Sequence, residues 1–183
     1  IFSGTSASTI YVDMSGITVS DVIDFSEITD STVNKIHVKV TATTNITSVI
    51  GFQNWGGTLI TGSVTVSGSS TFTLDSVQAH NAFIVGAGGN TVIISAEENL
   101  SSQMPNLTNI SGGIASQFIT KDGSNFCLCA GAVLPTGMTV DISGSEVLTM
   151  PASLVDGRTI TRSGSGSLLI TDIASTLGAD LSN

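Results

Sequence analysis

The segment Ser63-Val-Thr-Val-Ser-Gly-Ser-Ser-Thr-Phe-Thr-Leu74 decides the fold, because its pattern occurs four times in the chain. Each copy begins with an apolar head residue, has glycine four positions later, and has further apolar residues eight and ten positions later. The heads are Val64, Ile84, Val140 and Ile160, and the glycines are Gly68, Gly88, Gly144 and Gly164. The heads are spaced by 20, 56 and 20 residues, and the gap of 56 leaves room for three slightly shorter copies. A period of about twenty residues is the signature of a solenoid, whose repeats bury their apolar faces against one another.

Residues within each copy favour short strands, because β-branched residues alternate or cluster between Ser-Gly corners. At the corner, glycine permits a positive φ or a close approach to the coil above. We therefore predict an all-β, right-handed parallel β-solenoid of eight or nine coils of about 20 residues, with at most one short helix. Its inward ladders would be Val64/Ile84, Val140/Ile160 and Leu128/Leu148/Leu168. The alternative is an antiparallel β-sandwich, in which turns recur every 8–12 residues.

A five-residue motif recurs beside the long repeat: Asp or Asn, an apolar residue, Ser or Thr, any residue, then Ile or Val. Copies begin at Asp13, Asp24, Asn45 and Asn106, and a shortened one begins at Asp180. The first side chain of the motif is suited to an Asx-turn, which would form a corner and send both apolar residues into the core. Residues 51–183 are thus predicted to be solenoid repeats. Residues 1–50 are predicted to be an irregular N-terminal cap or first coils of the same domain, within a longer protein.

The composition excludes several classes of partner. Charged residues make up only 10% of the chain, and the net charge is −9. Because there is no basic stripe to neutralise phosphates, nucleic acid and anionic membranes are not expected partners. No apolar run reaches the roughly 20 residues of a membrane span. A surface this poor in charge suits a chain that packs against copies of itself.

Candidate catalytic residues are few. His37 and His80 are the only histidines, and the sequence has no Gly-x-Ser-x-Gly nucleophile elbow. Glu97 and Glu98 are adjacent, so along a strand they would point to opposite faces rather than act as a carboxylate pair. We predict that the protein is not an enzyme.

Two groups of residues remain as binding candidates. Asp21, Asp24, Glu27 and Asp30 recur at three-residue spacing. They are solvated surface charge, ligands of a calcium ion, which needs six to eight oxygens, or an acid–base pair of an enzyme that cleaves polysaccharide. Trp55, the only tryptophan, is either a core residue or an exposed ring that stacks on a sugar.

Cys127 and Cys129 are the only cysteines. Residues i and i+2 of a strand lie on one side, and a bridge over a single residue would need strained geometry. We therefore predict two reduced thiols that ladder with Val147 and Thr149 in the core.

The run Ser163-Gly-Ser-Gly-Ser-Leu-Leu-Ile-Thr171, followed by Asp180-Leu-Ser-Asn183, resembles the β-strand-repeat regions of large secreted bacterial surface proteins, including S-layer proteins of the Campylobacter type. The resemblance covers residues 58–183 and implies export, a structural or adhesive role and, often, calcium. The Gly-Asp nonapeptides of calcium-binding RTX repeats are absent, which argues against a calcium array of that kind.

From these features we predict a non-catalytic, self-associating structural subunit of an extracellular bacterial assembly at the cell surface, such as a surface layer, filament or adhesin stalk. Its partners would be copies of itself and a cell-surface glycan. The alternative is a β-solenoid that binds or cleaves polysaccharide.

Overall fold

The computed structural model of this chain describes residues 8–21, 23–24, 33–50, 63–96, 104–112, 115–120, 125–129 and 131–173. They form a nearly all-β structure whose parallel strands stack as a β-solenoid of about six turns. Every strand pairing in these residues is parallel, which confirms the solenoid and excludes the antiparallel sandwich.

The strands and helices are short. The strands are β1 (Ser8–Asp13), β2 (Val33–Val40), β3 (Thr44–Asn45), β4 (Ser63–Val66), β5 (Thr71–Asp75), β6 (Phe83–Gly86), β7 (Thr91–Ser95), β8 (Ile110–Ser111), β9 (Ala115–Ile119), β10 (Phe126–Cys127), β11 (Thr139–Ile142), β12 (Val147–Pro151), β13 (Ile160–Arg162) and β14 (Ser167–Thr171). Two single-turn helices, α1 (Ser76–Ala79) and α2 (Ala152–Val155), follow β5 and β12, so the described residues contain one helix more than predicted.

These strands build three parallel sheets along the solenoid. Sheet 1 has the order β1-β2-β4-β6-β8, sheet 2 the order β13-β11-β9-β7-β5-β3, and sheet 3 the order β10-β12-β14. Strands β1, β2 and β3 therefore stack on the later coils within the same sheets.

The core consists of columns of inward side chains, one from each coil. One such column lies on sheet 2 and contains Leu74, Ile94, Phe118, Val140 and Ile160, each paired in register with the next. The first four are fully buried, and Ile160 at the end of the sheet is half-buried. Burying an aliphatic or aromatic side chain of this size contributes about 1.5–3 kcal/mol, so such columns supply most of the stabilisation.

The coils are longer than predicted, so there are fewer of them. Val64 pairs with Ile84 twenty positions later, as expected, but Tyr11 pairs with His37 twenty-six positions later. Val38 and Val64 are likewise separated by 26 positions. The prediction of eight or nine coils was wrong because it extended the shortest spacing to the whole chain.

The four copies of the repeat do not lie on the same sheets. Val64 and Ile84 pair with each other on sheet 1, whereas Val140 and Ile160 pair on sheet 2. We call residues 63–96 the first pair of repeats and residues 139–171 the second pair. The 56-residue gap holds two coils and a step to the next sheet, because Ile84 pairs with Ile110 and Phe118 pairs with Val140. The prediction of three extra copies was wrong.

The corner glycines serve both predicted purposes. Gly68 and Gly88 have φ values of +73° and +84°, a conformation that glycine adopts at little cost. Gly164 instead lies against the coil beneath it, where a Cβ atom would collide with the carbonyl oxygens of Gly144 and Ser143. Local backbone conformation therefore selects glycine in the first pair, and packing between coils selects it at Gly164.

The five-residue motif forms the predicted Asx-turn in its three fully described copies. The Oδ1 atoms of Asp13, Asn45 and Asn106 each accept the backbone N–H two residues later, at 3.0, 3.0 and 3.3 Å. The following apolar residues Met14, Ile46 and Leu107 are fully buried. The turn thus sets a corner and directs the next side chain inward, as predicted.

The cysteine prediction was wrong. Cys127 and Cys129 form a disulfide with Cα atoms 5.1 Å apart, and both residues are half-buried. Strand β10 ends at Cys127 and the chain turns, which brings the Cα atoms within the usual range for a bridge. Leu128 between them is buried.

The register in this coil is also shifted from the prediction. Phe126, rather than Leu128, pairs with Leu148, and Cys127 pairs with Thr149. The Leu148–Leu168 part of the predicted ladder is confirmed.

Candidate functional site

The outer face of sheet 1 carries a shallow groove of about 430 Å³. Alternation along the strands positions it: Val38, Val40, Val64 and Val66 point into the core, so the residues between them point outward. The groove, called the sheet 1 groove below, is lined mainly by Tyr11, Asp13, His37, Lys39, Thr65 and Ser67.

Two stacked rings form one side of the groove. The ring centroids of Tyr11 and His37 are 5.4 Å apart, with an angle of 20° between the ring planes. His37 Nδ1 lies 3.1 Å from the hydroxyl of Ser63 on the next strand, which fixes the imidazole from its other side. Tyr11 is nevertheless 79% exposed, so its ring is held in place without being covered.

One acid and one base form the other side. Asp13 and Lys39 pair in register on neighbouring strands. Hydrogen bonds from the hydroxyl and the N–H of Ser15, with a smaller effect of Lys39, hold the pKa of Asp13 below its usual value. Asp13 is therefore a carboxylate at neutral pH, and its charge offsets that of Lys39. The groove combines an aromatic surface, hydroxyl groups and a balanced pair of charges.

A second polar cluster lies inside the corner between sheets 2 and 3. Glu146 is only 4% exposed. Its Oε1 accepts hydrogen bonds from the Thr120 hydroxyl and, at 3.3 Å, from the Gly144 N–H, whereas Oε2 has no hydrogen-bond partner among the described residues. The same repeat position is Asn90 in the first pair, where the side chain donates to the carbonyl of Val66 at 2.7 Å. Three of the four copies thus bury a polar side chain at this position, Ser70, Asn90 and Glu146, and the fourth copy has Gly166.

Asp141 lies on the adjoining strand and is 6% exposed. Its oxygens accept from Thr161 Oγ1 at 2.7 Å, Ser163 N at 3.1 Å and Ser163 Oγ at 2.6 Å. Burial alone would raise the pKa of Asp141, but these hydrogen bonds outweigh it and hold the pKa below the ordinary value of 3.8. The carboxylate joins two successive coils, and its bonded oxygens are not available to act on a substrate.

The predicted calcium ligands are only partly described. Asp21 is exposed, and its Oδ2 accepts the N–H and hydroxyl of Thr18 at 2.8 and 2.9 Å, which lowers its pKa. Asp24 is exposed and its backbone bridges to Ile50, while Glu27 and Asp30 lie outside the described residues. No cluster of three or more His, Cys, Asp or Glu side chains occurs in the described part of the chain. Calcium binding by these four acids stays a prediction.

The other sequence candidates are dispersed. His37 lies in the sheet 1 groove, whereas His80 is in a corner, where its Nδ1 accepts the N–H of Asn106 at 3.1 Å. Trp55, Glu97 and Glu98 lie outside the described residues. Sequence reasoning missed Tyr11. The available signal was its position two residues before Asp13 of the Asx motif, which places both side chains on one outer face.

Comparisons with known proteins give no match to a family model, a curated protein or a solved structure. In the described part of the chain, each helix has four residues, far fewer than the roughly 20 that cross a bilayer.

Proposed function

We propose that this protein is a structural subunit of an extracellular bacterial assembly, in which solenoids associate with copies of themselves. The observation that carries the proposal is the C-terminal end of the described core. Strands β13 and β14 are the last strands of sheets 2 and 3 within the described residues. Their inward residues Ile160, Leu168 and Ile170 are half-buried. The residues beneath them in the preceding coil, Val140, Leu148 and Met150, are fully buried.

An end of this kind favours association. Edge strands present N–H and C=O groups that pair readily with another chain, and half-buried apolar side chains gain from further coverage. A second copy of the chain supplies both edge strands for this pairing and apolar side chains for this coverage. The low content of charged residues keeps the desolvation cost of such a contact small.

Exposed apolar side chains on the flat faces support side-by-side packing as well. Phe83 and Val85 are exposed on sheet 1, and Leu169 is exposed on sheet 3. Single exposed apolar residues are common, but these stand on regular strands, where they form parts of flat surfaces.

The extracellular setting has two supports. The Cys127–Cys129 disulfide suits an oxidising compartment, and the Ser/Gly-rich repeat resembles secreted bacterial surface proteins. A surface layer, filament or adhesin stalk are the forms of assembly we consider. The competing function is cleavage of polysaccharide. Asp141 and Glu146 are buried, and Asp13 is the one carboxylate among the residues that line the sheet 1 groove, so the groove lacks a carboxylate pair.

Sedimentation velocity and electron microscopy of the chain, with calcium and with chelator, test the proposal. We expect concentration-dependent association in the wild type and its loss in Leu168→Asp, which places a charge on the inward face of β14. Val77→Asp is the matched control, because Val77 lies on α1 rather than on an end strand or a flat face and is 44% exposed. Ile170→Thr provides a milder end variant, and circular dichroism confirms that each variant is folded. A wild type that stays monomeric in both buffers contradicts the proposal, and release of reducing sugar by that monomer would favour the enzyme.

A further inference from the structure

We propose that the sheet 1 groove binds a neutral oligosaccharide, with one sugar ring stacked on the face of Tyr11 that His37 does not cover. The proposal does not depend on self-association, because the groove lies on the outer face of β1, β2 and β4, whereas the proposed contact between copies involves β13 and β14.

The first argument is the exposure of an ordered aromatic ring. A tyrosine exposed to 79% on a regular strand leaves a large apolar surface in water. Stacking on His37, which is itself fixed by Ser63, keeps the ring from folding down onto the sheet. The surface is thus arranged before any ligand arrives, and little conformational entropy would be lost on binding.

The second argument is the linear arrangement of the side chains. Tyr11, His37, Ser63 and Phe83 occupy successive strands of sheet 1 in one column. At about 4.8 Å between strands, the column is about 14 Å long. Aromatic rings therefore stand at both ends of a straight track, which fits a ligand extended over several units better than a compact one.

The third argument is the polar column beside the rings. Asp13, Lys39 and Thr65 follow one another on the same three strands, and all of them are exposed. A pyranose ring has an apolar face of C–H groups, which stacks on an aromatic ring, and a rim of hydroxyl groups that both donate and accept. A carboxylate, an ammonium group and a hydroxyl are complementary to such a rim.

The fourth argument is charge. Asp13 and Lys39 pair across neighbouring strands, so the groove has no excess of positive charge. The whole chain carries −9 and repels polyanions. The site should accordingly prefer an uncharged glycan to one built from uronic acids.

Isothermal titration calorimetry with cellohexaose and chitohexaose, two neutral β-linked hexasaccharides, tests this directly, with a hexagalacturonate as the anionic comparison. We expect at least one neutral hexamer to bind and the anionic hexamer to bind more weakly. Tyr11→Ala should weaken binding about tenfold, while Tyr11→Phe, which keeps the ring, should change it by about twofold or less. Leu169→Ala removes another exposed apolar side chain, from sheet 3, and should leave binding unchanged.

The same titrations with Leu168→Asp separate this inference from the proposed function, because that variant changes β14 and leaves the sheet 1 groove intact. Tyr11 is exposed, so Tyr11→Ala should fold normally, and its thermal unfolding is checked against the wild type. Three results would overturn the inference: no binding of either neutral hexamer at millimolar concentration, equal binding by Tyr11→Ala, or tighter binding of the anionic hexamer.

Discussion

The two pairs of repeats have the same sequence pattern but occupy different parts of the solenoid. The first pair, residues 63–96, places its strands on sheets 1 and 2, and the second pair, residues 139–171, places them on sheets 2 and 3. Within each pair the strands match at 20-residue spacing. The pattern therefore specifies a strand, a corner and a second strand, but it does not specify which faces of the solenoid they form.

The coil between the two pairs sets the difference. It contributes β8, β9 and β10, one strand to each of the three sheets. Phe118 of β9 lies between Ile94 and Val140 in the long inward column. Ile94, the last apolar position of the first pair, and Val140, the head of the second pair, are thus in one column. The second pair is shifted by one sheet relative to the first, and the core remains continuous.

The turns that follow the second strands show a further parallel. Asp75 and Gln78 cap α1 reciprocally. The side-chain amide of Gln78, which lies within α1, also donates to the carbonyls of Ile46 and Val49 in the coil beneath. After α2, which lacks a side-chain cap, Arg158 donates to the carbonyls of Pro135 and Met138. In both turns, a side chain therefore donates hydrogen bonds to two turn carbonyls of the coil beneath, which require a donor when buried.

The largest expected effect separates the two kinds of corner glycine. Gly164→Ala should lower the free energy of unfolding by about 3 kcal/mol, because the added methyl group meets backbone atoms of Gly144 and Ser143 that cannot rotate away. Gly88→Ala should cost about 1 kcal/mol, since no atom lies within 4 Å of its Cβ position and only the positive φ is strained. Urea unfolding monitored by circular dichroism measures both. Equal costs would mean that the same constraint selects glycine at both corners.

A smaller effect is expected at the two back-reaching side chains. Gln78→Ala leaves the carbonyls of Ile46 and Val49 without this donor, and a cost of about 2 kcal/mol is expected. Arg158→Ala should cost a similar amount, because it removes the donor to Pro135 and Met138. Val77→Ala, in the same turn as Gln78 but exposed, is the control. A large cost for one variant and none for the other would show that the parallel between the pairs is only geometric.

Much of the fold follows from the sequence, because strand periodicity and the Asx-turns are local properties. Head residues, corner glycines and the turns at Asp13, Asn45 and Asn106 all behave as predicted. The shift of the second pair by one sheet does not follow from the sequence in this way, because it depends on the lengths of connections such as the one between Ile94 and Phe118. Connection length has no periodic signal, so the position of the second pair could be read only from the strand pairing.

The candidate site was harder to predict for a related reason. The sheet 1 groove joins Tyr11, His37 and Thr65, which are 26 or more positions apart, and their proximity depends on coil lengths that the 20-residue repeat does not give. The acids chosen from the sequence, beginning with Asp21, were selected by spacing along the chain. Spacing along the chain brings side chains together within one turn, whereas the solenoid brings them together between coils.

The smallest expected effect concerns the position that follows each head residue. In the first pair this position holds Thr65 and Val85, both exposed. In the second pair it holds Thr161, which is exposed, and Asp141, which is buried under Thr161 and Ser163. Because the folded state lowers the pKa of Asp141, its carboxylate stabilises the fold above the unfolded pKa of about 3.9, and that contribution is lost as pH falls through the folded pKa.

Asp141→Asn should therefore reduce the free energy of unfolding by about 1 kcal/mol at pH 7, and the difference from the wild type should shrink below about pH 4. Ser163→Ala removes one hydroxyl donor and should shift this loss to higher pH. Urea unfolding between pH 2 and pH 7 measures the three profiles. If the wild type and Asp141→Asn differ by the same amount at every pH, Asp141 stabilises the second pair only through neutral hydrogen bonding. The two pairs would then differ in burial at this position but not in its electrostatics.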